Sequence, residues 1–400
     1  MTTTRRGGDG PTGPPESPGR LGFSDLGESG ANNFDALRFL FAALVILSHS
    51  CSLLDGDSRR DPLARLTGGQ MAFGGLAVDG FFVLSGFLIR RSWLRDPRPL
   101  PFLRKRALRI YPGFLAAVAL GAFAVGPLGW AGPSSYWSRF DPSRFVLGAL
   151  VLQGPTPPVF ADLPNPRLNG SLWTITYEFQ CYLGLMLLGL AGVLKRRAGT
   201  ASAFGLAYAL YAAQAAFAGP GPVNPWPRFA AFFLAGAAFE AFRRQIPRSR
   251  GLLAVAIAGI AALAAVPRWE GLEPALPILG TYALFYLATL PTPRLHRFGD
   301  RGDYSYGLYL YAFPIQQLLI RYVGLGRLAP PALFAASFGL ALLLAMASWR
   351  LIESPCLRRK AVPARWPSPR PRPDEGRAAG RMPHLGDGRP ARASGRGRSA

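Results

Sequence analysis

The chain has little of what covers the surface of a soluble enzyme. Only 17% of its 400 residues are charged, and acids are the scarcer kind, 22 Asp and Glu against 45 Lys and Arg. Histidine occurs three times, at His49, His296 and His384, and cysteine three times, at Cys51, Cys181 and Cys356. The cysteines lie far apart without metal-type spacing, so no Cys/His metal centre is expected. A disulfide framework is excluded too; one Cys51–Cys181 bridge, with both toward the outer side, is the most the pattern allows. The first thirty residues are Gly/Pro-rich with basic residues, and no apolar stretch there precedes a cleavage site, so no cleavable signal peptide is expected.

What the chain has is apolar length. Half of it is hydrophobic, gathered in runs at about 36–53, 72–91, 110–130, 171–194, 201–218, 228–243, 251–267, 274–290, 303–322 and 329–350. Runs of about 16–24 residues suit a hydrocarbon core about 30 Å thick. The expected fold class is therefore all-α, a polytopic integral membrane protein with about ten transmembrane helices, in contact with membrane lipids. The net charge of +23 does not point to nucleic acid, because the basic residues form short clusters between apolar runs and fill a long tail. The clusters at 90–109, 195–197, 243–250 and 294–301 fall on one side, with both termini. Loops at 55–61, 131–169, 219–227 and 268–273 are nearly charge-balanced. The basic side is thus expected to be cytoplasmic. Segment 145–152 is apolar but too short to span, and as a span it would throw Lys195-Arg196-Arg197 outside. It reads as a re-entrant or interfacial piece of an outer loop made irregular by Pro155, Pro157, Pro158, Pro164 and Pro166. Three parts follow: a disordered cytoplasmic segment 1–30, a membrane domain 31–356, and a disordered basic cytoplasmic tail 357–400.

Several ionisable residues interrupt the apolar runs. Arg38 and His49 are close to three helical turns apart, so they project from one side, roughly 16 Å apart along the axis. An unpaired Arg in lipid costs about 2.5–3.5 kcal/mol on insertion scales. Either both face a polar interior, or Arg38 snorkels to the cytoplasmic edge while His49 caps the outer end. Asp79 stands near the outer end of the second run, as an interfacial carboxylate or a working one, with Ser85 and Gly86 permitting close helix approach. The densest cationic loop follows, from Arg90 through Arg104, Lys105, Arg106 and Arg109, opposed by Asp96 alone. Arg106 and Arg109 are one turn apart at an expected helix start, where two guanidinium forks would grip a phosphate, with Arg104 beside them. Glu178 is expected about two turns below the outer surface, where a buried carboxylate needs a partner or a proton; His49 or an arginine is the candidate. Trp173, Tyr177 and Tyr182 beside it equally suit an aromatic belt. Glu353 is expected at the cytoplasmic boundary, paired with a nearby arginine.

In this order, these segments resemble the acyltransferase type-3 family, bacterial integral-membrane O-acyltransferases that modify surface glycans. The resemblance covers about residues 30–356. It is carried by the Arg38-to-His49 spacing, Val78-Asp79-Gly80-Phe81-Phe82-Val83-Leu84-Ser85-Gly86-Phe87, and Arg106-Ala107-Leu108-Arg109-Ile110-Tyr111-Pro112. Ser171-Leu172-Trp173 through Glu178, Ser305-Tyr306 through Pro314, and Ile352-Glu353-Ser354-Pro355 complete it. Many members have a histidine where this chain has Ala312, which leaves His49 as its one intramembrane imidazole. The resemblance implies a bacterial inner-membrane enzyme with both termini cytoplasmic and no tightly bound cofactor. It would move an acyl group, most often acetyl, from acyl-CoA to a hydroxyl of a cell-surface or lipid-linked carbohydrate. His49 would take the hydroxyl proton, Glu178 or Asp79 would orient it, and Arg38 would hold the phosphate arm or the thioester oxygen. Arg104, Arg106 and Arg109 would bind the polyanionic donor. Interior charges on about ten helices also suit a transporter or flippase for an anionic lipid or glycan, although no internal repeat or broken helix pair of that kind is visible.

Overall fold

The computed structural model describes residues 23–26, 32–130, 133–217, 223–266 and 271–358. These are helix and turn throughout, with no strand among the described residues. The main helices are α1 (Phe34–Asp55), α2 (Phe73–Arg95), α3 (Pro99–Leu128), α4 (Pro142–Leu150), α5 (Trp173–Leu190) and α6 (Arg197–Phe217). After them come α7 (Trp226–Phe242), α8 (Arg250–Ala264), α9 (Leu279–Ala288), α10 (Ser305–Val323) and α11 (Pro330–Arg358). Four of these, α1, α2, α3 and α11, are long and apolar enough to cross a membrane. Each expected apolar run lies on one of these helices, α4 being the additional one. At nine residues α4 is too short to cross, and it turns Val146, Leu147 and Leu150 outward.

Local signals set several boundaries. Asn32 Oδ1 accepts the Phe34 N–H at 3.0 Å to open α1, and Gly56, at φ +79°, closes it by returning its N–H to Ser52, a conformation only glycine adopts freely. The third helix departs from expectation. It begins at Pro99, not near 110, because proline is favoured in a first turn and Arg104-Lys105-Arg106 are good helix formers whose charge hides them from a hydropathy reading. Of the expected disordered ends, only 23–26 and 357–358 fall within the described residues. Residues 23–26 are ordered: Phe23 and Leu26 are buried, Phe23 packing edge-on against Phe239 and Tyr282.

The end of the bundle where Asp35 meets Gly299 and Trp349 meets Gly302 is termed basal, and the opposite end distal. The stretch before α5 descends from the distal end along α10. Arg321 pairs with Asp162, and Gln317 Nε2 donates to the carbonyls of Asn165 and Arg167 at 2.6 and 2.8 Å. Lower down, Gly170 lies so close to Phe313 that a Cβ would stand 2.5 Å from the ring. Asn169 Nδ2 donates to the Leu310 carbonyl at 2.9 Å, and Thr174 meets the Tyr309 hydroxyl at 2.5 Å. About 18 Å of helix rise separates Arg321 from Tyr309. The re-entrant part of this loop is thus 162–172, and α5 starts deep in the bundle.

Helices α2 and α7 run parallel and cross at two glycines. A Cβ on Gly86 would lie 1.7 Å from the Phe233 carbonyl oxygen, and one on Gly236 would lie 1.9 Å from that of Val83. Neither backbone has room to yield, so Gly86→Ala and Gly236→Ala are expected to destabilise the protein by about 1–3 kcal/mol or more. Gly184→Ala, with nothing within 4 Å of its Cβ, serves as the control. Thermal unfolding in detergent should show lower midpoints for the first two variants and an unchanged or higher one for the third.

Candidate functional site

Toward the basal side, α1, α2, α3, α5 and α10 enclose a cavity of about 180 Å³. Arg38, Arg106 and Arg109 line it from two helices, Glu178 and Tyr182 from α5, and Tyr306 and Tyr309 from α10. Three guanidinium groups so close together need counter-charge. Asp303, just before α10, supplies part of it. It forms an ion pair with Arg109 and stands 3.8 Å from Arg38, which also lies 3.6 Å from Asp35. Asp303 is fixed in turn by accepting the backbone N–H of Ser305 at 3.2 Å and its hydroxyl. Arg109 also lies over the Tyr306 ring, 5.6 Å from its centroid.

Arg106 is different. No carboxylate among the described residues lies within ion-pair distance of it. Its Nη2 reaches Ser92 Oγ at 3.4 Å, and its guanidinium sits 5.8 and 6.0 Å from the Phe102 and Tyr182 rings. Its Nε is buried without a hydrogen-bond partner among the described residues. A desolvated cation left this way is unfavourable until an anion arrives. Glu178 faces the same cavity but forms an ion pair with none of the three arginines; it accepts from Ser85 Oγ at 2.7 Å and from the Tyr182 hydroxyl. The site therefore combines an arginine that has no carboxylate partner among the described residues with a carboxylate held by two hydroxyls.

Residues 32–350 match the family model described as an acyltransferase domain. The chain belongs to the acyltransferase type-3 family. It is similar to an O-acetyl transferase of Shigella phage Sf6, 27% identical over 342 residues that cover 83% of this chain and 97% of the relative. It is likewise similar to nodulation protein 10 of Rhizobium leguminosarum bv. viciae, 28% identical over 362 residues, 82% of this chain and 93% of the relative. No solved structure gives a significant match. This is an acyltransferase of O-acetyltransferase type, and its apolar helices fit a membrane protein; the transporter reading gives way to it.

Several expectations about the acyltransferase's side chains are corrected by its geometry. Arg106 and Arg109 do share one face a turn apart, but inside α3 and not at its start. Arg104 is on the exposed face, about 200° round the helix from Arg106, and does not line the cavity. Asp96 is not the only acid opposing this cationic stretch, since Asp303 holds Arg109. Arg90 is buried, bound to Glu240, to Thr200 Oγ1 at 3.3 Å and to the Leu194 carbonyl at 2.9 Å. Among the described residues Glu353 forms no ion pair; it accepts from Ser348 Oγ at 3.0 Å, and its other oxygen is buried without a partner. The cysteines at 51, 181 and 356 are free thiols, so the Cys51–Cys181 bridge is not formed.

The two groups expected to work with Arg38 and Glu178 lie elsewhere. His49 is on α1 as anticipated, but its ring packs edge-on against Phe313 at 5.1 Å, makes no hydrogen bond among the described residues and does not line the cavity. Phe313 is one turn distal to Tyr309 on α10, which puts His49 just beyond the cavity's distal wall. The expected pairing with Glu178 is absent because α5 starts so deep that Glu178 falls below the level of His49, facing α2 and α3. Asp79 neither orients His49 nor anchors an interface. Both its oxygens receive Arg228, from Nε and Nη2 at 3.0 Å each. Arg228 also meets Glu273 at 2.7 Å, and Glu273 accepts from the Tyr211 hydroxyl at 3.0 Å. Asp303 was missed at the sequence level, although an acid two residues before a helical serine is a readable capping signal. The Tyr182 contact to Glu178 had one too, the four-residue spacing of neighbours on a helix face; the Ser85 contact, between two helices distant in sequence, had none.

Asp79→Ala should leave the half-buried Arg228 with Glu273 as its remaining carboxylate among the described residues and cost about 1.5–3 kcal/mol, read as a fall in thermal midpoint and in yield from membranes. Glu178→Gln should leave both near wild type, because serine and tyrosine hydroxyls still find a carbonyl oxygen. An Asp79→Ala protein that melts like wild type would return Asp79 to the list of working residues.

Proposed function

We propose that the acyltransferase moves an acyl group, acetyl in the simplest case, from acyl-CoA to a hydroxyl of a cell-surface or lipid-linked carbohydrate. The observation that carries this reading is the Arg38–Arg106–Arg109 cavity, in which Arg106 lacks a carboxylate partner among the described residues. Acyl-CoA is polyanionic, and charge-assisted forks on phosphate are the interaction such a cluster suits best. At about 180 Å³ the cavity is smaller than the roughly 300–1,000 Å³ of pockets that enclose a whole drug-sized ligand. It suits the phosphate and thioester arm, with the nucleotide outside. The topology is inferred to be about ten crossings in a bacterial inner membrane. The basal end and both termini face the cytoplasm, because the basic clusters gather there, and CoA is found on that side.

Transfer needs the acceptor oxygen to bond to the thioester carbonyl carbon, the C–S bond to break, and the hydroxyl proton to leave. His49 is assigned as the base that takes the proton and returns it to the departing CoA sulfur. It stands distal to the cavity, so the hydroxyl would meet the acyl carbon near Tyr309, with the donor below and the base above. Arg38 and Arg109 would hold the donor through the phosphate or the thioester oxygen. Glu178, fixed by Ser85 and Tyr182, balances the arginines once CoA has left. The names of the relatives, one an O-acetyl transferase, support an acetyl group moving to oxygen.

The test uses protein in lipid nanodiscs with labelled acetyl-CoA. Arg106→Ala should raise the KM for acetyl-CoA by about 10- to 100-fold, matching about 1.5–3 kcal/mol for a charge-assisted contact, with kcat little changed. His49→Ala should lower kcat by about 10²–10⁴-fold with acetyl-CoA binding retained. Turnover of His49→Ala at a tenth of wild type or better rules out the base. An unchanged KM in Arg106→Ala rules out the donor site.

A further inference from the structure

A second concavity stands on the other side of α5's first turns. It has a volume of about 570 Å³ and is lined by Gln153, Asn169, Trp173, Tyr177, Gln180 and Trp226, among others. Its chemistry is the reverse of the arginine cavity: none of its lining side chains is charged. Trp173 is 50% exposed and Trp226 38%, which leaves two indole faces open. Tyr177 sits edge-on to Trp173 at 5.8 Å, and both are backed by Phe229 at about 5.4–5.5 Å, so the aromatic wall is held from behind. Trp226 Nε1 donates to Gln180 Oε1 at 2.9 Å. That bond leaves the Gln180 NH₂ without a partner among the described residues, as are the Gln153 amide and the Tyr177 hydroxyl.

An aromatic belt at a membrane surface accounts for exposed tryptophans. It does not account for this cleft. Trp173 is level with Tyr309, well down from the distal end, and open carboxamides at that depth are unfavourable unless water or a polar ligand meets them. Flat aromatic faces beside paired donor and acceptor amides, with no net charge, match the two surfaces of a neutral sugar: apolar C–H faces and a rim of hydroxyls. The cleft and the arginine cavity also share a wall. Along α5, Thr174 and Ile175 face the cavity while Trp173, Thr176 and Tyr177 face the cleft. Asn169, in the cleft, precedes Gly170, which packs on Phe313, the residue that holds the His49 ring.

We infer that this cleft binds neutral sugar residues of the acceptor, stacked on Trp173 and Trp226 and hydrogen-bonded by Gln153 and Gln180. The inference rests on the carbohydrate-acceptor reading above. The test uses membranes from cells whose own copy is replaced by wild type, Trp173→Ala, Trp173→Phe or the double variant Gln153→Ala/Gln180→Ala. With labelled acetyl-CoA as the probe, two quantities are read: its binding, and label appearing in the carbohydrate fraction. Trp173→Ala and the double variant should lose at least tenfold in carbohydrate labelling, with acetyl-CoA binding within twofold of wild type. Trp173→Phe should recover most of the loss, since it restores an aromatic face. Carbohydrate labelling within twofold of wild type in both defective variants overturns the cleft alone and leaves the general reading standing. A loss matched by lost acetyl-CoA binding, or no recovery in Trp173→Phe, also overturns it, because packing then explains the effect. Wild-type label that goes to a fraction other than carbohydrate rejects the acceptor class and the cleft with it.

Discussion

Pro314 sits inside α10 and has no N–H, so the carbonyl of Leu310, one turn earlier, loses its helical partner. In an apolar bundle that oxygen must be met by something else. Asn169 meets it, and with that bond the loop before α5 is pinned far below the distal surface. The other contacts of the descent follow from it: the Gln317 carboxamide holds the segment above, Gly170 passes Phe313 where no side chain would fit, and Thr174 lands on Tyr309. Because α5 begins there, Glu178 is carried down to Ser85 and the arginines instead of standing near the surface beside His49. The separation of carboxylate from imidazole is thus a consequence of one helix-interior proline and one asparagine.

The remaining buried charges sort by whether they are already answered. Asp79 with Arg228 and Arg90 with Glu240 tie α2 to α7 at two levels, with the Gly86 and Gly236 crossing between them. At a glycine crossing the backbones touch, so register is set by shape, and ion pairs at both ends penalise a slip. These charges are spent on architecture. Arg109 and Arg38 share Asp303. Arg106, alone of the three, has no acid within ion-pair distance among the described residues, and its surroundings of aromatic rings lower its solvation without neutralising it. That imbalance, more than the number of arginines, separates a binding site from a structural network.

Much of this was legible in the residues. Apolar runs located the helices, and the order of the polar interruptions pointed to the family. The same-face spacing of Arg106 and Arg109 put two cations where the cavity has them. What the runs could not convey was depth. Hydropathy treats Arg104-Lys105-Arg106 as loop, although they are helical, and it treats Asn169 as surface, although it is tied to a mid-helix carbonyl. Pairing was hidden for a related reason. Asp79 looked free because Arg228 is distant in sequence, and Asp303 was passed over because it lies just outside an apolar run. Glu353 looked like a boundary residue awaiting an arginine; the π-turn at Trp349–Glu353 directs it to Ser348 instead.

The distribution of charge between the two concavities gives the chemistry a direction. An arginine-lined basal cavity would favour an anion over a neutral sugar, and an uncharged cleft, with only neutral hydrogen bonds to give, would return less to an anion than the arginines do. Each substrate would therefore be steered by what the wrong site lacks. The wall between them is the first turn of α5, bordered by the Asn169–Gly170 approach and by Phe313 with His49 behind it. For hydroxyl and thioester to meet, they must do so at that border, and a base is useful only where the hydroxyl arrives. In the proposed reaction, the position of His49, outside the arginine cavity and behind Phe313, is what that order of events requires.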